Sequence, residues 1–439
     1  MFPLAQILRT QGYYITGSDN NESDIVTAER GLGIEVHMGH RAENLQGAEM
    51  VVYSAAIMEG NPELDEARRL GLPLWTRAQL LGEITGRYET AVGVCGTHGK
   101  TTTTSMLTQI LYGAGKDPSA VIGGKLRAIG GYGRAGDSGL MVYEACEFRD
   151  TFLSTTPTMA IVLNIDNDHM EYFGTVENAM RSYTAFAQKA SRVLYNGDDL
   201  NTVCAMGKLT GDKECYTFGE APCNDFYPSD LQVHNGLCRS FDLTYRGDVL
   251  TRLTIHVPGA HNVLNAVAAA SAAWLLGTDV EAIAENLETF TGAGRRFEVL
   301  GSVGGVTIAD DYAHHPAELA VTLQAAKELN FNRVWAVFQP FTFSRTYLLL
   351  EDFARALSIA DRVVMSPIMG SREVNTYDIH TADLGALLPG SVWFDSFEEI
   401  AEYVLCEARP GDLVITLGCG DIYKCAKLML KKGEESAQS

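Results

Sequence analysis

Short apolar runs alternate with helical patterns along most of the chain. Residues 91–95 and 140–143 form two such runs, rich in Val and other apolar side chains and followed by glycine or a carboxylate. Between them, Met106, Leu107 and Ile110 recur at the spacing of one helix face. This alternation is typical of parallel sheets whose strands are joined by crossover helices. The pattern therefore predicts an α/β protein.

We predict three domains, because the chain has 439 residues and a typical domain has about 150. The first, residues 1–87, holds two short strand patterns that end in polar residues. The second, residues 88–297, begins with a strand before a glycine-rich turn and later has alternating, antiparallel-looking strands. The third, residues 298–439, has strands separated by helical patterns. Its order is typical of a small, doubly wound, Rossmann-like domain.

Composition and charge narrow the classes of function. Apolar residues make up 46% and charged residues 20% of the chain, as in globular proteins. The 34 basic and 55 acidic residues give a net charge of −21, which disfavours nucleic acid and anionic membranes as partners. The net charge does not exclude a nucleotide substrate, because a few local cations can hold phosphates.

Cysteine usage and the lack of long apolar segments indicate the cellular location. The nine cysteines form no C-x-x-C pair, and a chain of this length needs no disulfides for stability. No apolar run approaches the roughly 18 residues that span a membrane. The N-terminal residues also lack the pattern of a signal peptide. We therefore expect a cytoplasmic protein with free thiols.

A glycine-rich turn follows the first strand of the second segment, where residues 93–102 read GVCGTHGKTT. Such glycines let several backbone N–H groups converge on one anion, and the following helix adds its dipole. Lys100 would neutralise phosphates, and the Thr101 hydroxyl would bind Mg²⁺. The spacing departs from the strict Walker pattern, because Val94 stands five residues before Gly99. An ordinary turn with an incidental lysine is the alternative, but the order of strand, turn and helix favours phosphate binding.

Two neighbouring strand patterns also end in acidic residues. Glu144 follows one strand, and Asp166, Asp168 and His169 follow the next. The carboxyl ends of parallel strands face one crevice. A carboxylate there can hold Mg²⁺ between phosphates, and a neutral imidazole can bind a second divalent ion. A solvated strand end and an ordinary polar turn are the competing interpretations.

An alanine-rich helix pattern begins near His261, Asn262 and Asn265. Residues three and four apart share a helix face, and an amide side chain offers the donor and acceptor that an adenine edge requires. These asparagines are candidates for adenine contacts. Helix capping is the alternative, since asparagine is a common N-cap residue.

Two further polar clusters lie at and beyond the junction of the second and third segments. Arg295 and Arg296 stand at the junction, where guanidinium groups can reach a γ-phosphate or simply lie on the surface. Residues 310–315 read DDYAHH directly after a strand pattern, which is too polar for a core and indicates a functional cluster, with a plain surface turn as the alternative. Arg345 follows another strand pattern and adds a cation.

Together these blocks resemble the Mur ligases, the ATP-dependent amide-forming enzymes of peptidoglycan precursor synthesis. The blocks are GTHGKTTTTS at 96–105, EACE at 144–147, AIVLNIDNDH at 160–169, GAHNVLNAVAA at 259–269, GRRFE at 294–298, DDYAHHPAE at 310–318 and SRT at 344–346. Each block alone is a weak signal. Their occurrence in family order over most of the chain makes the resemblance specific.

The resemblance implies an N-terminal Rossmann-like domain that binds a UDP-sugar, a central P-loop ATPase domain with extra antiparallel strands, and a C-terminal Rossmann-like domain. It implies ATP and Mg²⁺ or Mn²⁺ as cofactors, and UDP-N-acetylmuramate and L-alanine as substrates. The lactyl carboxylate would attack the γ-phosphate of ATP, and the alanine amine would then attack the resulting acyl phosphate. The protein would act as a monomer or weak homodimer, without nucleic acid and without insertion into a membrane.

The resemblance also implies roles for individual residues. The implied catalytic residues are Lys100, Glu144, His169, His314 and Arg345. The implied nucleotide contacts are Gly96, Thr97, His98, Gly99, Lys100, Thr101, Thr102, His261, Asn262, Asn265, Arg295, Arg296, Asp310 and Asp311. The implied metal ligands are Thr101, Glu144 and His169. The implied substrate contacts are Ser18, Asp19, Ser54, Tyr312, His314 and Arg345.

Several positions depart from the family pattern. Cys146 replaces the usual aspartate of the E-A-D-E block, and Phe341 and Thr342 replace a usual histidine and arginine. We expect Cys146, like Cys95, to be a packed small residue. The sequence also begins where the family has already completed a first strand and a glycine-rich turn, so we expect that strand to be missing from the first domain.

Three alternatives to the alanine reaction deserve comparison. A family member can attach a preformed tripeptide to the same sugar nucleotide, but the sequence N-I-D-N-D-H favours the alanine reaction. A folate-type glutamate ligase fits the H-H-P block less well. A catalytically impaired nucleotide-binding protein would fit the short N-terminus, although the phosphate and metal residues are complete.

Overall fold

In the computed structural model, which describes residues 1–234, 238–371 and 373–438, strands and helices alternate along the chain. The chain divides into two units by its contacts. The first unit comprises Met1–Asp230, Phe241–Leu253 and Leu264–Glu288, and the second comprises Leu231–Ser240, Thr254–Val263 and Thr289–Ser439. The predicted α/β class is confirmed, while the division at residues 87 and 297 stays a prediction.

The first 87 residues form two small parallel pairs of strands with flanking helices. The elements are α1 (Phe2–Thr10), β1 (Thr16–Asp19), α2 (Asp24–Gly31), β2 (Glu35–Met38), β3 (Val51–Tyr53), α3 (Pro62–Leu70), β4 (Leu74–Thr76) and α4 (Arg77–Thr85). Strand β1 pairs with β2 and strand β3 pairs with β4, both in parallel. Local signals define the helix ends: Asn61 caps α3, Pro62 occupies its first turn and Gly71 ends it in the left-handed region.

A ten-stranded sheet organises the middle of the chain. Its elements are β5 (Thr90–Cys95), α5 (Lys100–Gly113), β6 (Ser119–Leu126), β7 (Gly131–Arg134), β8 (Leu140–Glu144), β9 (Met159–Val162), α6 (Met170–Phe173), α7 (Val176–Ala187), β10 (Arg192–Asn196), α8 (Leu200–Met206), β11 (Glu214–Phe218), β12 (Phe226–His234), β13 (Cys238–Tyr245), β14 (Asp248–Ile255), α9 (His261–Leu275) and α10 (Val280–Glu288). The strand order is β14-β13-β12-β11-β10-β9-β5-β8-β6-β7.

Strand β5 lies at the centre of the parallel part of this sheet. It pairs in parallel with β8 on one side and with β9 on the other. Its residues from Ala91 to Cys95 are buried, which explains a continuous apolar run rather than an alternating one. This topology brings the ends of β5, β8 and β9 to the same edge of the sheet.

The last part of the chain forms a second, six-stranded sheet. Its elements are β15 (Glu298–Val303), β16 (Val306–Asp311), α11 (Pro316–Lys327), β17 (Val334–Phe338), α12 (Phe343–Leu348), α13 (Leu350–Leu357), β18 (Arg362–Met365), α14 (Thr381–Ala386), β19 (Val392–Trp393), α15 (Phe397–Glu407), β20 (Leu413–Leu417) and α16 (Tyr423–Gln438). The order is β15-β16-β20-β17-β18-β19, and only the β15–β16 pair is antiparallel. Buried side chains cover both faces, with Phe338 in one cluster and Trp335 in the other.

Two further features of the structure concern the cysteines and the helices. All nine cysteines are free, as expected. Among the helices that the structure describes, none is long and apolar enough to cross a membrane.

Helix α4 packs against the turn at Phe148–Ser154 through Gly82, and this contact generates a prediction. A Cβ atom at Gly82 would lie 2.0 Å from the Ser154 carbonyl oxygen. We expect Gly82→Ala to lower the free energy of unfolding by about 2 kcal/mol, because the packed backbone must move. Gly31→Ala is the matched control, since no atom lies within 4 Å of its added Cβ. Urea unfolding of both variants tests this, and equal stability would contradict the proposed close packing.

Candidate functional site

The glycine-rich turn between β5 and α5 has the shape of an anion-binding loop. Gly96 has a φ of 148° and Gly99 a φ of 85°, a region that favours glycine. A Cβ atom at Gly99 would also lie 2.5 Å from Asn265 Oδ1. Helix α5 begins at Lys100, so the N–H groups of its first turn have no acceptor within the helix. The loop can therefore offer these N–H groups to a phosphate.

Asn164, at the end of β9, holds this loop in place. The Thr97 N–H donates to the Asn164 carbonyl at 3.0 Å. The His98 N–H donates to Asn164 Oδ1 at 2.7 Å, and Asn164 Nδ2 donates to the His98 carbonyl at 3.1 Å. Because two loop N–H groups are engaged in this way, the N–H groups available to a phosphate are those of the first turn of α5. Our sequence analysis did not select Asn164, although its position directly after a strand was a usable signal.

Lys100 is surrounded by three acceptors. Its Nζ donates to the carbonyls of Gly96 at 2.5 Å and Thr97 at 3.0 Å, and to Glu147 Oε1 at 2.9 Å. Burial by itself would lower the pKa of Lys100, but the charge of Glu147 and of its neighbours raises the pKa above its ordinary value. Lys100 is therefore a cation whose ammonium group lies at the mouth of the loop.

Glu144, at the end of β8, lies beside the start of α5. Its Oε2 accepts hydrogen bonds from the Thr101 hydroxyl at 2.8 Å and from the Gly123 N–H at 3.0 Å. A Cβ atom at Gly123 would lie 2.4 Å from that oxygen. The structure thus brings together the two predicted metal ligands Thr101 and Glu144. Gly123, which the sequence analysis did not select, provides the space for the carboxylate.

Glu147 is a second acidic residue at this edge of the sheet, and the predicted site residues did not include it. Its side chain is only 4% exposed and pairs with Lys100. The Nε2 atom of His169 lies 4.0 Å from Glu147 Oε1. The other oxygen, Oε2, is buried and has no hydrogen-bond partner among the described residues. The resemblance pairs His169 with Glu144, whereas the structure shows the contact with Glu147.

The donor atoms at this edge suit a divalent cation that also binds phosphate. No group of three or more His, Cys, Asp or Glu side chains that could hold a metal is found in the described part of the chain. Mg²⁺, however, is usually held by one or two carboxylates together with substrate phosphates. The Thr101–Glu144 pair fits such an ion, and the unpartnered Glu147 oxygen beside His169 fits a second one.

The two cysteines near the loop differ in environment. Cys95 is fully buried, and burial raises the pKa of its thiol, so it is a packed small residue as expected. Cys146 is exposed, which corrects the expectation that it is packed. The reason is local: neighbouring side chains point inward, with Ala145 and Glu147 both buried.

The three predicted adenine-side residues occupy different environments around the start of α9. Asn265 Oδ1 accepts from the Thr103 hydroxyl at 3.3 Å and lies against Gly99. Asn262 Nδ2 donates to the Pro258 carbonyl at 2.6 Å. His261 lies against Gly259, where a Cβ atom would be 2.4 Å from its ring. An adenine contact for these residues stays a prediction.

In the second unit, Arg295 binds the end of β16. Its Nε donates to Asp310 Oδ2 at 2.9 Å, and its terminal nitrogen donates to the Gly418 carbonyl at 2.6 Å. Asp310 also accepts from Thr416, and burial raises its pKa although Arg295 opposes the shift. Burial likewise raises the pKa of Asp311 to about 6. Asp311 accepts hydrogen bonds from the backbone N–H groups of Phe297 and Ala313. Direct nucleotide contacts from the two aspartates stay a prediction.

Aromatic rings sandwich the same guanidinium group. Arg295 lies 4.9 Å from the ring centre of Tyr312 and 4.8 Å from that of Tyr423, and Arg296 lies 5.2 Å from Tyr312. Such cation–π contacts add to the ion pair. Because Arg295 is engaged on several sides, Arg296 is the better candidate for a phosphate contact.

Tyr312, His314 and Arg345 are brought together, as the resemblance implies for a substrate-binding group. The rings of Tyr312 and His314 lie 5.5 Å apart. Burial lowers the pKa of His314, and the nearby charge of Arg345 acts in the same direction. His314 Nδ1 lies 3.1 Å from the Tyr312 carbonyl and 3.2 Å from Glu318 Oε2. Because both partners are acceptors, Nδ1 carries the proton and Nε2 is left as an acceptor.

The two departures beside Arg345 have structural roles. The ring of Phe341 lies 6.5 Å from that of His314. Thr342 caps α12, because its hydroxyl accepts from the Arg345 N–H at 3.4 Å. Thr342 has a φ of 63°, which is unfavourable for a β-branched residue. No cation replaces the family's usual pair at these two positions.

The predicted substrate contacts of the first 87 residues lie at strand ends. The Ser18 hydroxyl donates to Glu63 Oε2 at 2.7 Å and lies 3.0 Å from His40 Nδ1. Asp19 and Ser54 each accept a hydrogen bond from a backbone N–H two residues later. His40 and Glu63 are polar residues of this group that the sequence analysis missed, since they belong to different elements of the chain.

Comparisons with known proteins agree with these observations. Three family models match: "Mur ligase family, catalytic domain" at residues 1–89, "Mur ligase middle domain" at 94–273 and "Mur ligase, glutamate ligase domain" at 295–420. The chain is 40% identical over 442 residues to a UDP-N-acetylmuramate–L-alanine ligase of Caldanaerobacter subterraneus, covering 99% of this chain and 96% of that one. It is 42% identical to the protein of the same name from Lachnospira eligens, covering 98% and 95%.

A solved structure is also similar over nearly the whole chain. The crystal structure of UDP-N-acetylmuramate–alanine ligase from Thermotoga maritima superposes with a TM-score of 0.84 at 26% identity. The match covers 98% of this chain and 96% of that one.

The hydrogen bonds of Asn164 generate a prediction about nucleotide binding. Asn164→Ala removes two side-chain hydrogen bonds to the His98 backbone. We expect the variant to fold but to bind ATP about tenfold more weakly, because a part-buried loop N–H loses its partner. Isothermal titration with ATP measures this. Asn332→Ala is a control, since Asn332 also donates to a backbone carbonyl, that of Pro410. Unchanged affinity in Asn164→Ala would show that the loop does not depend on this residue.

Proposed function

The chain belongs to the Mur ligase family, and on that basis we propose that it joins L-alanine to the lactyl carboxylate of UDP-N-acetylmuramate with conversion of ATP to ADP and phosphate. The curated relatives at about 40% identity carry the name of this activity rather than that of the tripeptide reaction. The observation that carries the proposal is the loop in which Lys100, Thr101 and Glu144 meet at the start of α5.

In the first step, the lactyl carboxylate attacks the γ-phosphate, and ADP leaves. The transferred phosphoryl group carries negative charge that the site must stabilise. The first-turn N–H groups of α5 and the ammonium of Lys100 supply this stabilisation. To reach a phosphate, Lys100 exchanges one of its present acceptors for a phosphate oxygen. Glu147 keeps the ammonium near the loop during this exchange.

Thr101 and Glu144 would hold Mg²⁺ or Mn²⁺, and Glu147 with His169 would hold a second ion. When bound, such ions neutralise phosphate charge and align the reacting oxygens. Glu144 is held ready by the Thr101 hydroxyl and the Gly123 N–H. His169 stands at the start of α6 with a φ of 54°, and its ring packs 4.9 Å from that of Phe148.

In the second step, the alanine amine attacks the acyl carbon, and phosphate leaves. We assign the recognition of alanine to Arg345 and His314. The guanidinium of Arg345 suits the alanine carboxylate, because a guanidinium can bind a carboxylate through two hydrogen bonds. The lowered pKa of His314 keeps its ring neutral at pH 7, so Nε2 can accept a hydrogen bond from the amine.

The remaining roles follow the resemblance. Ser18, Asp19 and Ser54 contact the UDP-sugar, and Arg296 contacts phosphate. The protein acts in the cytoplasm as a monomer or weak homodimer and does not require nucleic acid. Its free cysteines are consistent with a reducing compartment.

Release of phosphate from ATP tests the proposed reaction. We expect release only when UDP-N-acetylmuramate, L-alanine and Mg²⁺ are all present. Lys100→Ala should reduce this rate at least 100-fold, because the loop loses its cation in the transition state. Lys424→Ala is a control, because Lys424 is an exposed lysine that pairs only with Asp421 among the described salt bridges. ATP turnover that is indifferent to L-alanine would refute the ligase assignment.

The mass of the product distinguishes alanine from a tripeptide as the amino substrate. We expect the muramoyl product to carry one alanine when both amines are offered at equal concentration. The physical reason is that Arg345 offers one cation for a carboxylate and His314 offers one acceptor for an amine. These two groups match the carboxylate and the amine of a single amino acid. Preferential formation of the tripeptide adduct, measured by mass spectrometry, would assign the recycling reaction instead.

A further inference from the structure

The turn that follows Glu147 has an unusual backbone. Arg149 has a φ of 51° and Asp150 a φ of 57°. Neither is glycine, and two consecutive residues in this left-handed region are unfavourable unless their surroundings hold them there. Backbone hydrogen bonds supply part of that support: the Asp150 N–H donates to the Glu147 carbonyl at 2.9 Å, and the Phe152 N–H donates to the Cys146 carbonyl at 2.9 Å.

The Asp150 carboxylate supplies further support for this backbone through two side-chain hydrogen bonds. Its Oδ2 accepts from the Tyr172 hydroxyl at 2.7 Å. Its Oδ1 accepts from the Ser182 hydroxyl. Tyr172 lies in α6 and Ser182 in α7, the two helices that follow His169 along the chain. One carboxylate therefore connects the segment after Glu147 with the segment after His169.

The two connected segments follow Glu147 and His169, and both of these residues have roles in the proposed reaction. Glu147 pairs with Lys100 at 2.9 Å and lies 4.0 Å from His169 Nε2. The ring of Phe148 lies 4.9 Å from the ring of His169. A change in the distance between the two segments would alter the contacts of Glu147 and Phe148 with His169. Asp150 itself has no described contact with Lys100, Glu147 side-chain atoms or His169.

We infer that Asp150 is a positioning residue, whose carboxylate, through Tyr172 and Ser182, keeps Glu147 and His169 at the spacing that the reaction requires. This inference rests on the proposed ligase function. It gives Tyr172 and Ser182 the role of hydrogen-bond donors that hold Asp150. Neither residue belongs to the motif blocks or to the predicted site residues.

Three variants separate the carboxylate from the backbone that carries it. Asp150→Gly tolerates the left-handed backbone but removes both hydrogen bonds. Tyr172→Phe combined with Ser182→Ala removes the two donors and leaves Asp150 in place. Asp150→Asn keeps a side chain that tolerates this region and can bond both hydroxyls. We expect kcat to fall about tenfold in Asp150→Gly and in the Tyr172→Phe, Ser182→Ala double variant, since small misplacements of reacting groups are costly. In Asp150→Asn, kcat should stay within threefold of the wild-type value. The KM for ATP should change little in all three variants.

Combining the changes tests whether they act through one connection. If the inference is right, the triple variant Asp150→Gly, Tyr172→Phe, Ser182→Ala loses no more activity than Asp150→Gly alone, because residues in one network are not additive. Asp378→Gly is the matched control: Asp378 also has a positive φ of 49°, and its side chain is fully exposed. A fall in kcat of less than fivefold in Asp150→Gly, or additive losses in the triple variant, would overturn the inference.

A second measurement does not depend on turnover. Hydrogen exchange of the protein without nucleotide should become faster at residues 147–152 and 169–173 together in Asp150→Gly, and remain unchanged in Asp378→Gly. Exchange that changes only at residues 149–151, or throughout the chain, would indicate a local or general structural role and overturn the inference. The wild-type reaction with alanine is measured in parallel. Its absence would refute the proposed function, whereas a normal wild-type rate with an unchanged Asp150→Gly rate would refute only the role of Asp150.

Discussion

The interaction on which the site depends is the ion pair between Lys100 and Glu147. An ammonium group with little access to water is costly without a counter-charge, and Glu147 supplies that charge at 2.9 Å. The pair requires β5 and β8 to be neighbours in parallel, so that the residues following both strands reach one edge. The burial of β5 on both faces and its pairing with β9 hold this edge together. The chemistry of the loop is thus a consequence of strand order.

Much of the fold was predictable from the sequence because its signals are local. The apolar run of β5, the glycines of the turn and the helix spacing of α5 are all encoded by neighbours in the chain. The same holds for Thr101 and Glu144, since Thr101 lies in the first turn of α5 and Glu144 is the last residue of β8. Their meeting at 2.8 Å required only that parallel strands end at the same edge.

The residues that the sequence analysis missed have partners far along the chain. Asn164 acts on residues 97 and 98, and Gly123 acts on Glu144 across the sheet. Their roles depend on strand order, which periodicity does not reveal. Glu147 belongs to the EACE block, but the sequence of this block does not indicate whether Glu144 or Glu147 pairs with Lys100. Cys146 was assigned to the interior because small residues often pack, whereas the structure leaves this residue exposed.

Gly123 has a consequence for how variants of this protein would be observed. A hydrogen atom occupies the place where any other residue would press on Glu144 Oε2, at 2.4 Å from the added carbon. Gly123 itself is exposed and its φ is ordinary, so a larger side chain there displaces the carboxylate rather than the backbone. We expect such a missense change to leave the fold in place while it displaces the Glu144 carboxylate, a proposed metal ligand. Screens that score expression or melting temperature would pass it as harmless.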